Sequence, residues 1–418
     1  MEYQRGRNFV DTRDSRVARK GKRVFLREYS RPSDVGSLVR HVRAIFKNPE
    51  TKRLVIYVQD KFRVFPNQIV PLACVIEYLR QIGKTVVVHN DFKDVARTHF
   101  DAPILADRET IQAKRFTDGV VWKVTSAEQC YALVDAVIFE LSYKAKFEKG
   151  TLPALEWALN EMIDNVLLHS ESSAAYFMYQ PQLASGRLSF SVGDAGRGFL
   201  SSFRNSRYSP RSEADAITLA VRKEVTRDPA VGAGNGLWGT LRIVSENGGR
   251  LTIASGGSVI FFRTDEGVAR TYEGIGTVDD RCKTSLVDIQ LIADQPIELA
   301  RAFQQEDSPV SLFLERYENE VGDSSFSFKN WSLGTGTRES GESARVLIAN
   351  ILSNTEGGVV LDFGGLGIIS TSFADEAVGR LALQVGRESF ASRVRFTGLN
   401  DSTRMILAGV LVRRGLEA

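Results

Sequence analysis

The sequence predicts an α/β protein, on three observations. Leu54 to Val58, Ile69 to Ile82 and Thr85 to His89 read as strand, helix and strand, with Gly83 ending the helix, an order that favours a parallel strand pair. Thr151 to His169 carries helical periodicity and is followed by the strand-like run Arg187 to Val192. Near the C-terminus, Gly358 to Phe363 reads as a buried strand, Ser372 to Leu383 as a helix, Arg393 to Thr397 as a strand, and a last helix starts near Asp401, so the β-α alternation recurs.

The remaining elements follow the same logic. Gly119 to Val124 and Ala127 to Tyr143 are a strand and a helix leading into the 151–169 helix, whose start is marked by Thr151 and Pro153. Arg250 to Ala254 and Ser258 to Phe262 flank Ser255-Gly256-Gly257 as a hairpin, and Leu286 to Ile292 adds a strand to the same sheet, which is expected to be mixed, with helices over one face. The 297–340 stretch is charged, then rich in Ser, Gly and Thr, and marks a boundary.

At 418 residues the chain has room for two or three domains. Its three cysteines, Cys74, Cys130 and Cys282, are odd in number and form no Cys-x-x-Cys pair, so a structural metal and a disulfide framework are not expected. With no apolar run of about 18–20 residues and no charged-then-apolar leader, the expected location is cytoplasmic, without a membrane partner. The net charge is only +3, yet the first 31 residues hold Arg5, Arg7, Arg13, Arg16, Arg19, Lys20, Lys22, Arg23, Arg27 and Arg31 against Glu2, Asp11, Asp14 and Glu28. Such an arm can screen nucleic-acid phosphates, although interleaved aromatics are few and a solvated terminus is the simpler reading.

Three motifs carry chemistry. On the 151–169 helix, Glu161, Asn165 and His169 recur every four residues as one polar stripe, while Leu155, Leu159, Met162 and Val166 form the apolar side. Past the end of the Arg187 strand, Gly193-Asp194-Ala195-Gly196-Arg197-Gly198 lets the backbone turn sharply and approach a flat ligand, with Asp194 as the acceptor. Gly232-Ala233-Gly234-Asn235-Gly236 then opens a helix over Leu237 to Val244, and a helix start presents free N–H groups to an anion such as phosphate. No Gly-Lys-Ser/Thr follows these glycines, so they are not a Walker A loop.

The three motifs, in this order, resemble those of the GHKL ATPase superfamily, with its Bergerat ATP-binding fold, over roughly residues 115–295. The resemblance implies ATP and Mg²⁺ as cofactors. Glu161 would orient or deprotonate the attacking group and Asn165 would ligate Mg²⁺. Asp194 would accept from the adenine amino group, Gly196 and Gly198 would shape the pocket, and Gly232, Gly234 and Gly236 would lie beside the phosphates. The long connection from Phe199 to Val231, with Arg204, Arg207, Arg211, Arg222, Lys223 and Arg227, falls where the family carries its ATP lid, and Ser212 with Asp215 reads as a helix start inside it. Mg²⁺ needs few protein oxygens, so one Asn carbonyl suffices beside water and phosphate.

The run Leu361-Asp362-Phe363 to Ser370-Thr371-Ser372-Phe373-Ala374-Asp375-Glu376 resembles the STAS-like domains often fused to such ATPases. Where STAS domains of anti-sigma antagonists carry an Asp-Ser-Ser-Gly turn, this chain lacks both the acid and the glycine, and the hydroxyls are expected to cap a helix at Ser372. The resulting expectation is a domain over 1–114 with a possible diverged STAS-like plan, an ATP-binding domain over 115–296 with a Bergerat-type α/β sandwich, a linker over 297–334 and a STAS-like domain over 335–418. The function expected is a Mg-ATP-dependent regulatory ATPase acting on a protein partner, with homodimerisation left open. The alternatives are an anti-sigma-type serine/threonine kinase acting on a STAS hydroxyl and a nucleic-acid-binding module working through the basic arm.

Overall fold

A computed structural model describes residues 16–29, 32–59, 62–114, 116–204, 206–223, 225, 236–263, 269–273, 283–303, 312–318 and 324–416. Among these residues it is an α/β protein with three sheets. The first holds β1 (Val17–Lys20), β2 (Arg23–Leu26), β3 (Arg53–Val58) and β4 (Thr85–His89) in that order, antiparallel between β1 and β2 and parallel thereafter. The second holds β5 (Ile104–Leu105), β6 (Trp122–Val124), β7 (Ala175–Gln182), β8 (Arg187–Asp194), β9 (Arg250–Ser255), β10 (Ser258–Arg263), β11 (Ala269–Glu273) and β12 (Ser285–Ile292). Their spatial order is β11-β10-β9-β12-β8-β7-β6-β5, and the parallel β5–β6 pair beside antiparallel pairs makes the sheet mixed. The third is the parallel sheet of β13 (Ser324–Ser327), β14 (Val359–Asp362) and β15 (Val394–Thr397), with β14 central.

The chain divides into two compact units, residues 1–133 with 160–291, and residues 134–159 with 292–418. In the first unit, the 1–114 stretch and the eight-stranded sheet share one core. Val24, Leu26, Leu54 and Ile56 cluster with Ile69, Val70 and Cys74 of the Pro66–Gln81 helix and with Tyr176, Met178 and Leu286 of the large sheet. That helix is buried along nearly its whole length and packs on β7 and β8, so a Cβ on Gly193 would meet Val70 Cγ1 at 2.7 Å and Cys74 Sγ at 3.2 Å. The large sheet is therefore covered on this face too, where the sequence led us to expect helices over one face alone. The Ile69–Ile82 periodicity marks the helix without revealing that both of its sides face apolar surface.

The 151–169 helix forms as expected, with Leu155, Leu159, Met162 and Val166 buried. The hairpin of β9 and β10 turns at Ser255–Ser258, and the last helix runs Asp401–Arg413. In the second unit, β13 and the helix before β14 had no sequence signal. Residues 324–327, read as linker, are β13, and Arg338–Asn354 is a 17-residue helix that Thr337 caps by accepting from Ser340 N at 3.1 Å. Gly341 of this helix lies against the next one, where a Cβ would meet Phe373 O at 2.7 Å. Its Asn350, fully buried, ties down the loop before the 151–169 helix: its amide donates to Ser142 O (2.6 Å) and Ala145 O (2.9 Å) and accepts from Phe147 N (2.8 Å). Three intramolecular bonds are needed here because a buried amide without partners is costly.

The helix after β14 begins at Thr371, not Ser372. Its cap is Ser370, which accepts from Phe373 N at 3.0 Å, with Ser372 Oγ 3.1 Å from the capping oxygen. Asp375, three residues past Ser372, pairs with Arg414, which holds its carboxyl below the usual range. A turn of π-helix at Asp375–Gly379 brings the buried Glu376 to Arg338 (2.9 Å), Arg380 (3.2 Å) and Arg345 (3.3 Å).

Candidate functional site

Glu161 and Asn165 lie one turn apart on the 151–169 helix, half-buried, and the start of the Gly236–Asn247 helix runs against them. A Cβ on Gly236 would sit 2.3 Å from Glu161 Oε2 and 3.1 Å from Asn165 Nδ2. Only a glycine fits there with the carboxylate in place. The structure thus brings together two motifs about 70 residues apart in sequence. Asn165 Nδ2 is buried with no hydrogen-bond partner among the described residues, an arrangement a native site tolerates where something else is to be bound. Burial, and then the neighbouring Asp164 charge, raise the Glu161 carboxyl above its ordinary range. A raised carboxyl is a stronger proton acceptor than an ordinary one. Gly232 and Gly234 lie outside the described residues.

Asp194 ends β8, is buried, and accepts from Gly196 N at 2.7 Å. Burial pushes its carboxyl up to about 7, opposed by that hydrogen bond and by the Ser285 hydroxyl. The turn that follows is welded to the end of the 151–169 helix: Arg197 N donates to Ser170 O (2.9 Å), Arg197 Nε donates to His169 O (3.1 Å), and the same guanidinium pairs with Glu171 at 2.6 Å. A Cβ on Gly196 would lie 2.1 Å from Ser170 O, and Gly198, at φ +76°, sits against Lys283 and Ser255. These contacts explain both glycines without reference to a ligand, and they fix where Asp194 points. His169 takes part through its carbonyl.

The segment read as a lid is partly ordered by side chains the sequence did not single out. Ser212 caps the Glu213–Ala220 helix by accepting from Asp215 N at 3.1 Å, as expected. Glu213 then accepts from Leu200 N (2.9 Å) and Ser255 Oγ (3.2 Å) and pairs with Lys283 (3.3 Å), which itself donates to Ser201 Oγ at 3.1 Å. Lys223 Nζ lies 5.2 Å over the Trp238 ring. Arg227 lies outside the described residues. Glu213, Ser255 and Lys283 come from three separate stretches with no shared spacing, so nothing in the sequence joins them.

Alternation along β8 puts Ser191 on the face opposite Asp194, toward the Pro66–Gln81 helix. There Ser191 Oγ donates to Asp288 at 2.5 Å, and burial pushes that second carboxyl up to about 7 as well. Among the described residues no group of three or more His, Cys, Asp or Glu side chains could hold a metal ion, and no helix is long and apolar enough to cross a membrane.

Residues 343–404 match a family described as a STAS-like domain of unknown function (DUF4325), which covers the 338–354 helix from Ser343, β14, β15 and the start of the last helix. Comparison with curated proteins and comparison with solved structures found no match. What the chain is similar to, over these C-terminal residues, is a STAS-like domain.

Proposed function

We propose that the chain is a Mg-ATP-binding regulatory ATPase of the GHKL type, whose nucleotide state controls a protein partner. The observation that carries this reading is the meeting of Glu161, Asn165 and Gly236: a carboxylate, an amide with an unpartnered buried nitrogen, and a helix start that has room only for hydrogen at Cα. That donor set fits Mg²⁺, which keeps most of its water and phosphate ligands and asks one or two oxygens of the protein. Asn165 would supply one, its amide turned so that the carbonyl faces the ion, since the two amide orientations are interchangeable. The metal's contribution would be to neutralise phosphate charge.

The chain's own residues do the rest. The N–H groups opening the 236–247 helix face an anion, Asp194 accepts from an exocyclic amino group in a site closed by Gly196, and Glu161 takes a proton from the attacking water or hydroxyl. A second reading, transfer of the phosphoryl group to a hydroxyl, is favoured by one observation: Thr371 is exposed beside the capping Ser370 in the STAS-like region.

Incubating the protein with γ-labelled ATP and Mg²⁺ separates these readings. Free phosphate without label on protein supports the ATPase, and label retained on the chain supports the kinase. Neither product, at protein concentrations that would reveal a single turnover, would contradict both.

A further inference from the structure

We propose that Glu213 is a positioning residue for the nucleotide base: from the Glu213–Ala220 helix it acts through the Ser255 and Ser285 hydroxyls on the carboxylate of Asp194, so that docking of that helix and occupation of the base site favour one another. The proposal rests on the reading of Asp194 as the acceptor of the base amino group.

The four side chains form an unbroken line. Ser255 Oγ donates to Glu213 Oε2 at 3.2 Å, Ser255 Oγ and Ser285 Oγ lie 3.4 Å apart, and the Ser285 hydroxyl is a hydrogen-bond partner of the Asp194 carboxylate. Ser255 closes β9 and Ser285 opens β12, where the two are cross-strand partners. Ser255, Ser285 and Asp194 are all buried.

Hydroxyl hydrogens give the line a direction. Phe199 N donates to Ser255 Oγ at 3.1 Å, and the Glu213 carboxylate, paired with Lys283, only accepts, so the single Ser255 hydrogen goes to Glu213. The contact between the two hydroxyls then runs from Ser285 to Ser255. The one Ser285 hydrogen is thereby divided among Ser255, Asp194 and, at 3.5 Å, Lys283 O. Glu213 draws donation away from Asp194 and leaves that carboxylate open to an outside donor. Without Glu213, Ser255 is free to donate to Ser285, and the Ser285 hydrogen settles on Asp194.

The same carboxylate fixes where the helix sits. Glu213 accepts from Leu200 N at 2.9 Å and pairs with Lys283 at 3.3 Å, while Lys283 N donates to Gly196 O at 3.0 Å, two residues past Asp194. Gly256 gives Glu213 its room, since a Cβ there would meet Glu213 Cγ at 3.0 Å. A carboxylate that only tied down a loop would need the Leu200 and Lys283 partners and no buried hydroxyls leading to Asp194.

The test is calorimetric titration of Mg-ADP, which carries the base and is not turned over, into the full-length parent and into variants whose folding is checked by urea melts. Glu213→Ala should weaken binding about tenfold, the scale of one hydrogen bond to a charged group. Glu213→Gln keeps an oxygen to accept from Leu200 N and Ser255 and should bind within about threefold of the parent. In a Ser285→Ala background, Glu213→Ala should change the Kd by less than about twofold, because the line to Asp194 is already cut. Ser255→Ala breaks the line at its middle and should reproduce the loss of about tenfold even if Glu213→Ala fails to fold. Parental affinity in Glu213→Ala or in Ser255→Ala, losses from Glu213→Ala and Ser285→Ala that multiply, or a Glu213→Gln protein as weak as Glu213→Ala would each overturn the proposal and leave the nucleotide site standing. No binding of Mg-ADP by the parent would overturn that site and the proposal with it.

Discussion

Gly236→Ala separates the roles of fold and site more sharply than any other substitution. The added methyl would lie 2.3 Å from Glu161 Oε2, whereas real Cβ contacts essentially never fall below 3.0 Å, so something must retreat by close to an ångström. The obstacle is the tip of a flexible carboxylate, which can rotate away, and alanine is about 1 kcal/mol better than glycine inside a helix. Stability should therefore stay within about 1 kcal/mol of the parent, read as the midpoint of urea unfolding. Catalysis should not survive so well, because a misplacement of about 1 Å in a catalytic group can cost about a hundredfold. Gly196→Ala is the matched control. There the methyl would meet the Ser170 carbonyl at 2.1 Å, which is backbone and already accepts from Arg197 N. That overpacking should cost about 3 kcal/mol. The assay is phosphate release from Mg-ATP together with urea melts of both variants. A Gly236→Ala protein that turns over ATP at the parental rate would refute the assignment of Glu161.

Three further outcomes follow from the structure. Burial raises Asp194 and Asp288 from 3.8 to about 7, so the folded chain holds protons that the unfolded chain has lost; stability should fall as pH rises from about 4 to about 7, by up to about 4 kcal/mol per group, and Asp288→Asn should remove part of that decline in urea melts at pH 4.5, 6 and 8. Asn350→Ala strips partners from Phe147 N, Ser142 O and Ala145 O and should cost about 3 kcal/mol, measured by the same melts. Ser370→Ala should cost about 1 kcal/mol through the lost cap, whereas Thr371→Ala, at an exposed position, should leave the melting midpoint within about 0.5 kcal/mol of the parent.

The sequence made legible whatever local chemistry decides. The 151–169 helix, the β9–β10 hairpin, the Ser212 cap and the β3-helix-β4 unit each rest on periodicity, turn residues or capping groups within a few residues. It did not show what distant segments decide together. The Pro66–Gln81 helix is buried between two sheets because Val70 and Cys74 meet Gly193 over a hundred residues away, and a helical repeat does not say how many of its sides will be covered. β13 was hidden in a Ser-rich stretch where strand formation depends on pairing with β14. The cap falls at Ser370 and not at Ser372, and the Asp375 carboxylate three residues past Ser372 is taken by Arg414, just beyond the last helix, a partner no local pattern reveals. In the candidate site, the placing of Glu161 and Asn165 on one helix and of Asp194 at a strand end was legible from local pattern, and the Glu213–Lys283–Ser255 tie was not, because only folding brings those three together.

The central claim is tested most directly by calorimetric titration of Mg-ATP into the parent, Asp194→Asn and Asn165→Ala proteins, run at pH 8 so that Asp194 is mostly ionised. The account predicts saturable one-site binding to the parent, which at a hundredfold excess over the dissociation constant raises stability by about 2.7 kcal/mol. It predicts that Asp194→Asn loses most of that affinity, because an amide can turn a donor toward the adenine amino group, and that Asn165→Ala loses its dependence on Mg²⁺. Parental affinity in Asp194→Asn, or no heat and no stabilisation with the parent itself, would contradict it.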